Sequence, residues 1–291
     1  MSGVAEFKSD RTSIPPNQAV LEADSLHFRY SGDAVAVAGV SFRIMPGEAV
    51  ALCGHNGSGK TTLMKLLAGL IRPERGVVRV AGTELNAKSA QDVFRTVGLL
   101  FQDSQDQLFC NSVEEDVAYG PRNLGLSAAD VKKQVTLALN ITEAQHLEQR
   151  PIHHLSGGEM KRVALAGIVA MQNSVLILDE PFDGLDPASI SRLVSLIRHL
   201  SNEHGYSVVI ATHQMSLVPE VANRMLVMQG GRLIADGTVR ELLTNVPLLE
   251  QARLEPPSIT KFFYKKALQE NRNPGRLPLT LDEALLCDDN R

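Results

Sequence analysis

Two stretches of this chain carry residues whose types and spacing suit phosphate chemistry. The first, Gly54-His55-Asn56-Gly57-Ser58-Gly59-Lys60-Thr61, fits the phosphate-binding loop pattern G-x-x-x-x-G-K-[ST]. Glycines in such a loop let backbone N–H groups point inward at phosphate oxygens, and the helix that follows adds its positive end. Lys60 is a point charge for the β- and γ-phosphates, Thr61 offers a hydroxyl for Mg²⁺, and Thr62 carries the loop into the helix. The second stretch is Val175-Leu176-Ile177-Leu178-Asp179-Glu180. Four apolar residues read as a strand buried on both faces, and two carboxylates emerge at its C-terminal end, where α/β sheets bind ligands. Asp179 is placed to hold Mg²⁺ through water, and Glu180 to polarise an attacking water as a general base. Alone, the loop could be a plain glycine turn and the acids a solvated strand end. Side by side they read as a nucleoside triphosphate site.

A third string, Leu155-Ser156-Gly157-Gly158-Glu159, opens a helix with a second pair of glycines. Ser156 and the adjacent amides could make another phosphate site at a helix N-terminus. An isolated string of this kind could equally be a capped helix start. One subunit already satisfies its phosphates with the first loop, so a second such site points to another copy.

The elements that must position these residues follow from pattern. Residues 1–18 are polar, end in Ile14-Pro15-Pro16-Asn17, and read as a flexible lead-in. Short alternating segments at 20–23, 26–30 and 40–44 read as antiparallel strands, with a turn at Ser31-Gly32-Asp33. Residues 49–53 form an apolar strand running into the first glycine loop, 61–70 a helix, and 76–82 a strand bracketed by glycines. Three helical segments, 113–119, 128–139 and 142–147, occupy a middle region of about 112–172, with Ser127 capping the second. A helix led by Ser156, the strand 175–178, a helix at 187–200 and a strand at 207–212 complete an alternation that implies a mostly parallel sheet. Residues 224–228 and 232–235 read as a hairpin across Gln229-Gly230-Gly231. From Asp236 the chain reads as a separate appendage of short helices punctuated by prolines. The division expected is 1–18, 19–240 and 241–291.

Bulk properties bound the rest. Of 291 residues 44% are hydrophobic, enough for a full core, and the net charge of −4 gives no basic field, so no nucleic-acid partner is expected. The three cysteines lie far apart without a C-x-x-C pair, which argues against a metal cage or disulfide framework and suits a reducing cytosol. The N-terminus lacks an apolar signal core, and no apolar run approaches the ~20 residues of a membrane-spanning helix.

In this order, the glycine loop, the Asp179-Glu180 strand and Leu155-Ser156-Gly157-Gly158-Glu159 resemble ATP-binding-cassette ATPases over nearly all of residues 20–240. The resemblance implies an α/β P-loop NTPase fold of ABC type. Its parts would be a mostly parallel core sheet, an antiparallel β subdomain, an α-helical subdomain and here a small C-terminal appendage. It implies ATP hydrolysis with Mg²⁺ held by Thr61, Gln102 and Asp179. It also implies a head-to-tail dimer in which Ser156, Gly157, Gly158 and Glu159 close over the partner's ATP. By the same resemblance Gln102 senses Mg²⁺, Asp186 is a trans contact, and His213 touches the γ-phosphate. Tyr30 would stack on adenine, although an ordinary strand tyrosine is the alternative. Phe182-Asp183 departs from the smaller residues common after Glu-Pro, and Glu159 stands where glutamine is frequent.

Within that family, the segments 101–109 and 113–121 resemble the ATPases of energy-coupling-factor importers, especially the cobalt/nickel type. Asp106, Gln107, Leu108 and Phe109 would then form a groove for a coupling helix of a membrane subunit. The expected assembly is a homodimer, or a dimer with a paralogous ATPase. It would sit on the cytoplasmic face of the cell membrane, with a transmembrane coupling subunit and a substrate-binding membrane subunit. Residues 248–257 resemble the tail of the same subgroup, with dimer contact, regulation or passive cover all open. His153-His154 reads as structural rather than as a metal ligand. The alternatives are a vitamin-type cargo, or a soluble ABC ATPase outside transport.

Overall fold

The computed structural model describes residues 15, 17–31, 34–86 and 90–288. Most of the lead-in 1–18, and Gly32-Asp33 of the expected turn, lie outside the described residues. The described residues open with strands β1 (Leu21–Arg29), β2 (Val35–Ile44) and β3 (Ala49–Cys53), then helix α1 (Lys60–Leu67). Strands β4 (Arg75–Val80) and β5 (Thr83–Glu84), helix α2 (Ala90–Thr96) and strand β6 (Val97–Leu100) follow. Helices α3 (Val113–Asn123), α4 (Ala128–Ile141) and α5 (Gly157–Ala170) come next. The alternation then continues as β7 (Val175–Asp179), α6 (Pro187–Asn202), β8 (Ser207–Thr212), α7 (Val218–Val221), β9 (Arg224–Gln229) and β10 (Arg232–Thr238). Four helices close the described residues: α8 (Val239–Thr244), α9 (Val246–Gln251), α10 (Ser258–Gln269) and α11 (Leu281–Asp288).

These strands build two sheets. One is antiparallel, in the order β2-β1-β4-β5; the other runs β10-β9-β3-β8-β7-β6, with β10 antiparallel to β9 and the remaining pairings parallel. Both faces of the larger sheet are covered, which is why its strands read as unbroken apolar runs. Leu176, Leu178, Val208 and Ile210 point into a core shared with α3, α4, α5 and α6. Their alternates Val175, Ile177, Val209 and Ala211 point into a core shared with α1 and the antiparallel sheet.

Three expectations are corrected by the structure. The segments 20–23 and 26–30 are one nine-residue strand, β1, interrupted by a bulge at Ser25. Ser25 takes φ 52°, and its N–H bonds Ser41 Oγ at 2.8 Å, so the period of two breaks there without ending the strand. Residues 142–147 are not a helix: Thr142 caps α4, and only a 3₁₀ turn at Gln145–Leu147 follows. The appendage is not separate. Strand β10 runs through Asp236 to Thr238, and Arg224 clamps it with two 2.7 Å bonds to Asp236 and a third, at 3.0 Å, to Glu48. Beyond it Leu243, Leu249, Ala252 and Leu254 pack on Ala51 and Cys53 of β3 and Met225 and Val227 of β9. Prolines mark boundaries between short helices, and these hide an apolar face of the sheet that the sequence pattern could not assign.

Leu249 is fully buried at that junction. Leu249→Ala is therefore expected to destabilise the whole sheet domain by about 2–5 kcal/mol in urea unfolding, as for other core leucines. An independent appendage would instead melt in a separate early transition.

Candidate functional site

Four parallel strands bring together residues up to 159 positions apart in the chain, from Gly54 to His213. Register pairs Cys53 with Thr212, Asp179 with Ala211 and Leu100 with Leu178, so β3, β8, β7 and β6 stop at one edge. The glycine loop leaves β3 there, His213 leaves β8, Glu180 leaves β7, and Gln102 follows β6 closely. A cleft of about 450 Å³ opens at that edge, lined by Tyr30, 34–36, Asn56, Gly57, 59–62, Gln102 and Glu180.

The glycine loop has the tight geometry that its residue types require. Gly59 takes φ 104°, and a Cβ there would stand 2.2 Å from the Ala36 carbonyl oxygen, so only glycine fits. Gly54 has no such φ but is equally crowded, with Ser58 Oγ 2.4 Å and Met228 O 2.6 Å from an added Cβ. His55 Nδ1 lies 2.6 Å from the Asn56 carbonyl. Tyr30, half exposed at the cleft wall, meets Thr62 Oγ1 at 3.3 Å and packs edge-on against Phe28.

Lys60 Nζ donates to Gly54 O at 2.7 Å and lies 3.2 Å from Glu180 Oε1, an ion-pair distance off the line of a hydrogen bond. Both side chains are 6% exposed. The other Glu180 oxygen, Oε2, accepts from the backbone N–H of His213 at 3.3 Å and lies 3.1 Å from its Nδ1. Glu180 itself is held at φ 44°, a conformation a non-glycine residue keeps only when its surroundings over-determine it.

Asp179 is buried, and burial raises its carboxyl pKa above the usual carboxylate range, a hydrogen bond to Thr61 pulling it back in part. Its Oδ1 has no hydrogen-bond partner among the described residues. An orphaned buried carboxylate oxygen beside a threonine hydroxyl is a donor set that fits Mg²⁺, a hard cation that takes oxygen ligands.

Asp183, which departs from the smaller residues common after Glu-Pro and opens the segment Asp183-Gly184-Leu185-Asp186 that resembles a loop coupling two sites, joins this group. It accepts from Gln102 Nε2 at 3.3 Å and from Gln214 Nε2 at 3.2 Å. One ligand atom from each of Glu180, Asp183 and His213 lies within 4.8 Å of the others. Asp183 stands three residues after Glu180, in a turn closed by the bond from Asp183 N to Glu180 O at 3.2 Å. Phe182, the other departure, is core.

Ser156 caps α5 in a reciprocal capping box: its Oγ accepts from Glu159 N, and its own N–H donates to Glu159 Oε2 at 2.8 Å. That backbone bond is the main cause holding the Glu159 carboxyl below its ordinary range, and Arg150 adds to it. Ser156, Gly158 and Glu159 line a depression with Leu185 and Arg192, apart from the cleft of the glycine loop, while Gly157 borders another beside Gln102. Asp186 uses its carboxylate as the cap of α6, accepting from Ala188 and Ser189 N–H at 3.0 Å each. Sequence reasoning missed Lys161. It falls on the apolar stripe with Ala164, Leu165 and Ile168, and that placement was the available sign of its burial. Burial lowers its ammonium pKa.

The segment 101–121 departs from expectation. Leu108, placed on a docking face, is 8% exposed and belongs to the helical core. Gln107 is an internal brace, donating to Leu99 O at 3.1 Å and accepting from Phe101 N–H at 3.2 Å. Asp106 and Phe109 stay at the surface. Phe109, 64% exposed, meets Tyr119, 48% exposed, edge-to-face at 4.7 Å. Asp116 holds the loop beneath them, accepting from the Phe109 and Cys110 N–H groups at 2.9 Å. Ten positions separate the two rings across a loop and a helix start, so no periodicity links them.

Comparison with known proteins agrees with this geometry. The ABC transporter family model matches residues 37–183. The energy-coupling factor transporter ATP-binding protein EcfA of Methanoculleus marisnigri is 43% identical, over 91% of this chain and 95% of its own. That of Methanocaldococcus jannaschii is 42% identical, over 82% and 86%. The solved structure of cbiO1 from Clostridium perfringens, part of the ABC transporter complex cbiONQ, superposes with a TM-score of 0.74. It is 34% identical, covering 84% of this chain and 99% of that one. This chain belongs to the ABC transporter ATPase family, in the branch of the energy-coupling factor ATP-binding proteins.

Proposed function

We propose that this ATPase works as a head-to-tail dimer on the cytoplasmic face of a membrane, docked on transmembrane subunits and driving the uptake of cobalt or nickel ions. The observation that carries the reading is the split of phosphate chemistry between two surfaces. Lys60, Thr61, Gln102 and Glu180 share one cleft, with Asp179 and His213 directly behind it, whereas Ser156, Gly158 and Glu159 line a different depression of the same chain. A second copy turned head to tail would supply the missing half. The cargo rests on resemblance in segments 101–121 and 248–257 and on similarity to a component of the cbiONQ complex. Among the described residues no helix is long and apolar enough to cross a membrane, so the crossing would fall to partner subunits.

Within each site the residues divide the work. Amides of residues 56–61 and Lys60 bind the phosphates, and Tyr30 offers a ring face to the base. Mg²⁺ arriving with ATP would be held by Thr61 and Asp179, with Gln102 nearby, and would neutralise phosphate charge. A γ-phosphate competes with Glu180 for Lys60, which releases one carboxylate oxygen to accept a proton from the attacking water. His213 keeps the other oxygen oriented through its backbone N–H. Serine and amides from the partner's Ser156–Gly158 region would stabilise charge on the transferred phosphoryl group, as helix N-termini do.

The outward pair Phe109 and Tyr119, rimmed by Asp106, is the best-shaped anchor for an amphipathic helix of a membrane subunit, since aromatic residues dominate such contacts.

Glu180→Gln is expected to keep ATP affinity, lower the hydrolysis rate by about 10²–10⁴-fold and trap an ATP-dependent dimer visible by light scattering. Hydrolysis at the wild-type rate would remove Glu180 as the base. Ser156→Arg should cut turnover by at least ~10²-fold while ATP affinity of the isolated chain moves less than ~3-fold; equal turnover would mean that each chain hydrolyses alone. Phe109→Ala with Tyr119→Ala should weaken co-purification with the membrane subunits by ~30-fold or more and leave ATP binding untouched. Normal assembly of that double variant would move the docking surface elsewhere.

A further inference from the structure

Lys161 is a cation on the apolar face of α5, 6% exposed, and it finds its partners on a different element. Its Nζ donates to the backbone carbonyls of Asp183 at 2.7 Å and Pro181 at 2.9 Å, and it lies 3.4 Å from that of Glu180. Three carbonyl dipoles of one turn therefore converge on one ammonium group. Asp183, Asp103 and Glu180 add carboxylate charge nearby, which offsets the cost of burying the cation.

The turn so gripped is the one that sets the proposed base. Glu180 stands at φ 44°, and its own N–H is tied to Ala211 O at 3.0 Å. On the other side of the turn the bonds come from Lys161. Sheet and helix thus hold this backbone from opposite ends. The helix is also the one whose first turn, at Ser156 and Gly157, faces a partner's ATP in the dimer.

We propose that Lys161 is a positioning residue that couples the two ATP sites: it transmits the seating of α5 on the partner's nucleotide to the Glu180 turn serving the chain's own nucleotide. The coupling rests on the dimer proposed above. Its physical basis is the rigidity of a single helix, with its phosphate-facing end about one turn from Lys161. Movement of α5 carries the ammonium group, and the ammonium carries three anchor points of the turn, at residues 180, 181 and 183. Hydrolysis at one site then depends on engagement at the other, which appears as cooperativity in ATP concentration.

The test is steady-state hydrolysis by the full-length chain across ATP concentrations, comparing wild type, Lys161→Met and Lys161→Arg. Binding of a fluorescent ATP analogue and thermal melting are measured on the same samples. Lys161→Met is expected to bind the analogue within ~3-fold of wild type, to lose kcat by ~10-fold or more, and to show a Hill coefficient falling towards 1. Lys161→Arg, which keeps the charge and the donors, should restore both kcat and the Hill coefficient in large part. If Lys161→Met unfolds, Lys161→Gln, which is polar but lacks the charge and the reach to the three carbonyls, takes its place under the same criteria. Unchanged kcat and Hill coefficient in the folded Met variant, or in the Gln variant where Met fails to fold, overturn the coupling while leaving the dimer intact. Absence of an ATP-driven dimer in Glu180→Gln overturns the dimer, and the coupling with it.

Discussion

The site depends on four parallel strands ending in register at one edge of a sheet that is covered on both faces. Burying β3, β6, β7 and β8 satisfies their backbone groups in ladders and their side chains in two cores. Chemistry can then appear only where the ladders stop. Peptide groups and polar side chains beyond Cys53, Leu100, Asp179 and Thr212 have no further strand to pair with, and they converge there as donors and acceptors for an anion and its cation. Every residue proposed to touch the phosphates in cis lies within a few positions of one of these strand ends or in the helix following β3.

Electrostatics at that edge is arranged as a chain of exchangeable partners. Lys60 faces Glu180, Glu180 faces His213, and Asp183 faces Gln102 and Gln214. Each link is made between a side chain from one strand end and a side chain from another. A polyanionic ligand entering the loop competes for the donors of this chain, so binding and the freeing of the proposed base are parts of one rearrangement. Asp179 Oδ1 and Glu180 Oε1 both lack a hydrogen bond among the described residues, but Glu180 Oε1 faces the Lys60 ammonium at 3.2 Å, which sets the proposed base apart from the proposed cation-holding acid.

The helical region and the C-terminal segment contribute through packing rather than through their own chemistry. Helices α3, α4 and α5 share one core with α6 and the sheet, so the surface pair Phe109–Tyr119 and the capped start of α5 stand on the same rigid body. The C-terminal helices cover the remaining apolar face of β3 and β9. That cover makes them part of the ATPase core, however they act in an assembly.

The sequence by itself determined the phosphate loop, the acidic strand end, the glycine-led helix and the alternation of strands and helices. These are local properties: a tight turn needs glycine at Gly59, a strand buried on both faces needs the apolar run before Asp179, and a capping box needs Ser156 with Glu159. Tertiary structure alone decided which of the nearby residues face each other. Leu108 and Gln107 read as surface in the chain but turn inward, because the loop folds over the core and leaves Phe109 beside a tyrosine ten residues on. Asp183 and Lys161 looked incidental, yet they meet around one turn brought together by the packing of α5 on the end of β7. Lys161 and Asp183 are 22 positions apart and Asp183 and Gln214 31, and no periodicity or local propensity records a distance of that kind. Only the register of the sheet and the seating of the helices set it.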